Sequence, residues 1–89
     1  MKVRSFNIDS LKNEYGIVVF SKPDVVVINP QQVTLIEDFQ FNGVREFDIY
    51  DSEKDKKRKG TVFRLFFTSG TRVLYIDETD AKKVEGLLK

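Results

Sequence analysis

Eighty-nine residues allow one domain with a modest core, and 40% apolar with 33% charged side chains is the composition of an ordinary globular protein. Fifteen basic against fourteen acidic side chains leave a net charge of +1, so overall charge gives no argument for nucleic acid or an anionic membrane, and any such case has to be local. The chain has neither Cys nor His, which excludes disulfides, thiolate zinc sites, thiol chemistry and the commonest general base, and is compatible with the cytoplasm.

The opening, MKVRSFNIDSLKNEYG, has no long apolar run and no small-residue cleavage pattern, so it does not read as a signal peptide. Val3–Ile8 reads as an edge strand. Asp9–Tyr15 is polar and fits either a helical turn closing at Gly16 or a loop. Ile17–Phe20 reads as a strand, and Ser21-Lys22-Pro23-Asp24 as a turn in which Pro presets the dihedral. Val25–Ile28 is a β-branched run that predicts a strand buried on both faces. It is far too short to span a membrane, as is Gly16–Phe20.

Asn29-Pro30-Gln31-Gln32 breaks the pattern and Val33–Asp38 resumes it. Asn42-Gly43 is the strongest short turn signal. Tight pairing across it would set Ile36 against Ile49 and Phe39 against Glu46, but also Glu37 against Asp48, and like charges face to face are unfavourable. A turn is therefore expected there, with its register open. Arg45–Tyr50 is the next strand, and Asp51–Gly60 (DSEKDKKRKG) is expected to be a solvated hairpin loop.

The C-terminal third organises the rest. Thr61–Thr68 and Thr71–Asp77 are rich in residues that suit a pleated surface, and the Ser69-Gly70 between them supplies positive φ. Pairing across that turn sets Thr68 against Thr71, Phe66 against Val73 and Arg64 against Tyr75. One face then carries Phe63, Leu65, Phe67, Leu74 and Ile76, with Arg72 near the tip, and is predicted to be core. The other carries Val62, Phe66, Val73 and Tyr75 with Arg64 and Asp77, and is either the second wall of a sandwich or an apolar patch needing a partner. A helix follows: Asp77 caps it, Glu78 and Asp80 favour its positive end, and Ala81, Val84, Leu87 and Leu88 form one stripe. Glu78–Lys82 and Glu85–Lys89 stand at i,i+4 with the acid first. The expected fold is α+β: a curled antiparallel sheet or small barrel-like sandwich of six or seven short strands, consecutive strands adjacent, with a C-terminal helix.

VINPQQVTLIEDF (residues 27–39), together with TVFRLFFTSGTRVLYIDETDAKKVEGLL, resembles the small FlbD-like proteins of flagellar gene clusters, which run as a strand, an Ile-Glu strand, a Gly-turned hairpin and a short helix. The same tail is similar to the end of a pleckstrin-homology-like domain, whose last hairpin feeds a C-terminal helix. The helix Trp of those domains and a basic first hairpin are not present here, so the resemblance does not imply headgroup binding. No functional residue is carried over from either family.

Sites of chemistry are few. Glu37-Asp38 and Asp77-Glu78-Asp80 could hold a hard cation, but a strand end and a helix cap account for them better. Neither GxxxxGK[ST] nor GxGxxG occurs, and the expectation is a non-enzyme without cofactor, metal or small-molecule substrate; a carboxylate-dependent hydrolase is the outside reading. The run Lys54, Lys56, Lys57, Arg58 and Lys59 could contact phosphates. A solvated tip is the preferred account, since Asp51, Glu53 and Asp55 dilute the field, and replacing all five cations by Ser is then expected to leave folding intact. Phe63, Phe66 and Phe67 suggest a base-stacking platform, but alternation leaves only Phe66 and Tyr75 on a shared face, and Arg64 opposite Tyr75 reads as a cation–π pair. The leading expectation is a small binding module, acting by protein–protein contact or as a homodimer through Arg64, Phe66, Val73 and Tyr75. The small size suggests an accessory protein of a phage or mobile element. The alternative is a nucleic-acid-binding protein using the basic run.

Overall fold

The computed structural model describes residues 1–12, 17–51, 56–70 and 72–88, with side chains for all of these but 9–12 and 17. The elements are β1 (Lys2–Ser5), β2 (Ile8–Lys12), β3 (Ile17–Phe20), β4 (Asp24–Val27), a 3-10 turn (Pro30–Gln32), β5 (Val33–Asp38), β6 (Glu46–Tyr50), β7 (Lys57–Phe67), β8 (Val73–Asp77) and α1 (Glu78–Leu87). The fold is α+β, with compact antiparallel sheets that do not close into a barrel and one C-terminal helix. No helix among the described residues is long and apolar enough to cross a membrane.

The centre is β7. Its C-terminal half pairs with β8 in the expected register, Val62↔Asp77, Arg64↔Tyr75 and Phe66↔Val73. Gly70 takes φ +71° in the turn, where a Cβ would be strained. The expected Thr68–Thr71 pair lies partly outside the described residues.

Alternation along this hairpin creates two cores. Leu65, Phe67, Leu74 and Ile76 point to one side and pack with Val3, Ala81 and Val84, with Phe63 half-buried beside them. Val62 points to the other side and packs with Phe6, Phe20, Phe39, Phe47 and Ile49. Phe20 is the hub of the second core, its ring centroid 5.5–6.0 Å from those of Phe6, Phe39, Phe47 and Tyr75. Edge-to-face pairs of this kind add about 0.5–1.5 kcal/mol each beyond burial.

The helix forms as its sequence predicts. Asp77 accepts a hydrogen bond from the Asp80 N–H at 2.8 Å, and Ala81 and Val84 are buried. The stripe does not stay buried: Leu87 and Leu88 are exposed. Glu78 spends its carboxylate on Arg58 and Thr61 rather than on Lys82, and Lys89 lies outside the described residues.

Four expectations are corrected. Of the Asp9–Tyr15 segment, residues 9–12 continue a strand on β3 and are not a helical turn or loop, and residues 13–15 lie outside the described residues. Val25 and Val27 are 66% and 67% exposed, so the β-branched run is an outer strand with one wet face rather than one buried twice. The Asn42-Gly43 turn is present, with φ +50° and +79°, yet β5 and β6 do not pair across it. Both pair with β7 instead, which sets Glu37 opposite Arg64 and Asp48 opposite Lys59. The like-charge clash of the tight hairpin becomes two opposite-charge pairs.

The fourth correction concerns the basic run. Lys57 to Gly60 belong to β7 and pair with β6, so these residues are not a solvated loop. The reason is that Arg58 reaches inward, where it pairs with Asp77, Glu78 and Asp51.

Candidate protein-interaction site

The mixed face of the β7–β8 hairpin divides along its length. At one end Val62 is fully buried under the second core, and Tyr75 packs edge-on against Phe39 with centroids 5.4 Å apart. At the other end that covering stops. Leu35, Phe66 and Val73 lie in one cross-strand row over β5, β7 and β8, paired Leu35↔Phe66 and Phe66↔Val73. Leu35 is 50% exposed, Val73 43% exposed, and Phe66 half-buried.

The next row inward is Glu37, Arg64 and Tyr75. Arg64 forms an ion pair with Glu37, and its guanidinium lies over the rings of Phe39 and Phe66 at 5.4 and 5.5 Å. Its ring partners are therefore these two, not the cross-strand Tyr75. The guanidinium is thus held by two aromatic rings and a carboxylate while the side chain stays partly wet, an arrangement that orders a long side chain. Of these residues, Arg64 and Tyr75 are of the types enriched where binding energy concentrates in protein interfaces, while Leu35 and Val73 are not.

Of the predicted interface residues, the structure brings Arg64, Phe66 and Val73 together at the open end and places Tyr75 at its inner margin, half inside the core. Leu35 completes the row and was not foreseen. Its signal was present in the sequence, since Leu35 and Glu37 alternate on one face, but only the β5–β7 pairing puts it beside Phe66.

The basic residues do not all share one surface: Arg58 turns inward, while the exposed Lys57 and Lys59 alternate with it on the other face of β7. Lys54 lies outside the described residues. Lys56 is exposed, Lys57 lies over the Tyr50 ring at 5.4 Å, and Lys59 is 3.2 Å from Asp48. Arg58 is committed to the helix N-terminus. There, Arg4, Arg58, Asp51, Asp77, Glu78 and Lys83 line a hollow of about 550 Å³. Asp77 and Asp80 are buried, and Asp80 also accepts the Arg4 backbone N–H at 2.8 Å. Burial pushes the Glu78 carboxyl up, but the Arg58 hydrogen bond and charge, with the Glu78 and Thr61 N–H groups, outweigh it and hold the group below the usual glutamate value. The acidic cluster is thus a cap and an arginine clamp. Glu37 and Asp38 are likewise paired, with Arg64 and Arg45.

Comparison with known protein families, curated proteins and solved structures finds no match.

Proposed function

We propose that this protein is a non-catalytic binding module whose contact surface is the open end of the mixed face: Leu35, Phe66 and Val73, with Arg64 and Tyr75 behind them. The observation that supports it most is the contrast along one strand face, closed over Val62 and open at Phe66. An apolar row standing beside an immobilised arginine loses little side-chain entropy on docking.

The test is a photo-crosslinking amino acid placed at Phe66 in cells, with the same group at exposed Val44 as control. A discrete protein adduct at position 66 and none at 44 is the expected result. Equal or absent adducts at both positions overturn the reading. Phe66→Lys is expected to abolish the contact while the far-ultraviolet circular dichroism stays native.

A further inference from the structure

We infer that β4 is a second, separate contact: the free edge on which two copies of this chain join, antiparallel, about a two-fold axis at Val26. The backbone hydrogen-bond phase carries the argument. Met1 and Ile28 exchange both bonds, at 3.0 and 2.8 Å. Bonded and non-bonded pairs alternate along an antiparallel ladder, so Val3↔Val26 is also a bonded pair, while Lys2↔Val27 and Arg4↔Val25 are not. The N–H and C=O groups of Val25 and Val27 therefore point away from β1. The Arg4 N–H, which by the same phase points away from β4, donates to Asp80 Oδ2 at 2.8 Å and confirms the assignment. Among the described residues β4 pairs with β1 alone.

The guards of this short edge sit at its ends, Asp24 in the strand and Pro23 before it, while Val25–Val27 itself holds no charge, proline or bulge. It is also self-complementary. With Val26 facing its own copy, Val25 of one chain faces Val27 of the other, and the four outward groups on each side meet as four hydrogen bonds. The exposed valine side chains then form a cross-strand cluster on one face. Asp24 falls opposite Ile28, so no like charges meet. Pro23 and Pro30 flank the segment and limit the pairing to Asp24–Ile28. Each chain offers this edge once, so the arrangement closes as a dimer and does not propagate. A contact this short lies in the weak class below about 1,200 Å² and calls for a concentration-dependent equilibrium.

Because the chain has no cysteine, a single Val26→Cys variant reports the register. Directly opposed non-bonded residues stand about 4.5 Å apart at Cα, within disulfide reach. Under mild oxidation Val26→Cys is expected to form a covalent dimer about tenfold faster than Val44→Cys, through proximity alone. Adding Val27→Lys should remove that advantage, and adding Phe66→Lys should leave it. The proposal is overturned by equal rates at positions 26 and 44, by insensitivity to Val27→Lys, or by loss with Phe66→Lys, which would move the association to the hairpin face. Amide exchange of the unaltered chain gives an independent reading. Protection at Val25 and Val27 should rise with protein concentration, and constant protection overturns the inference.

Discussion

Val62 and Phe66 stand four residues apart on the same face of the same strand, yet one is fully buried and the other half-open. The local pattern around them is alike: β-branched and aromatic residues alternating with polar ones. What differs is the covering. Phe20 from β3 and Phe47 and Ile49 from β6 close over Val62, while the row of Leu35, Phe66 and Val73 extends past them. A single long strand can thus be core wall at one end and partly open surface at the other, without any change in its own periodicity.

The comparison breaks most readily at the aromatic hub. Phe20→Ala should cost about 3–5 kcal/mol in urea unfolding, the range for a fully buried phenylalanine, whereas Phe66→Ala should cost about 1–2 kcal/mol, since part of its area stays wet. Equal losses would mean the two ends are not differently covered.

Gly60 tests the closed end from the backbone side. A Cβ there would stand 2.9 Å from Ile49 Cδ1 and 3.0 Å from Glu78 Oε2, and would press on the Arg58 guanidinium. Both neighbours are held, one by the core and one by its ion pairs, so Gly60→Ala should cost about 1–3 kcal/mol. A thermal melt within the wild-type error would show that the clamp yields.

The basic run sharpens the same contrast. Arg58→Ser removes the cation shared by Glu78, Asp77 and Asp51, leaving buried Asp77 only Arg4 as a cationic partner, and should cost about 1–3 kcal/mol. Lys56→Ser, at an exposed position, should stay within about 0.5 kcal/mol. The five-serine replacement is accordingly expected to destabilise, and Arg58 alone should account for the loss.

The smallest effect is that of pH. The folded Glu78 carboxyl sits below its unfolded value, so its contribution is fully present above about pH 4.3 and is lost as pH falls through the depressed value. Glu78→Gln should flatten the decline of unfolding free energy below that point and leave the dependence at neutral pH unchanged. A variant that tracks the wild type down to pH 3 would show that other carboxylates carry the whole acid response.

By itself the sequence determined the features that depend on neighbours along the chain. The β7–β8 register follows from one glycine turn and strict alternation, and the start of α1 follows from Asp77 bonding the Asp80 N–H. The separation of Leu65 and Phe67 from Val62 and Phe66 onto opposite faces is of the same kind. Tertiary structure decided the rest, because those outcomes depend on which distant groups meet. Glu37 and Asp48 each had a closer candidate across the Asn42-Gly43 turn, but only β7 offered them arginine and lysine in place of each other. Arg58 looked like a solvated cation until three carboxylates reached it from the loop and the helix end. The valines of β4 are as β-branched as any core strand, and the exposure of Val25 and Val27 reflects a face that no other described element covers, while Val26 on the opposite face packs against the first core.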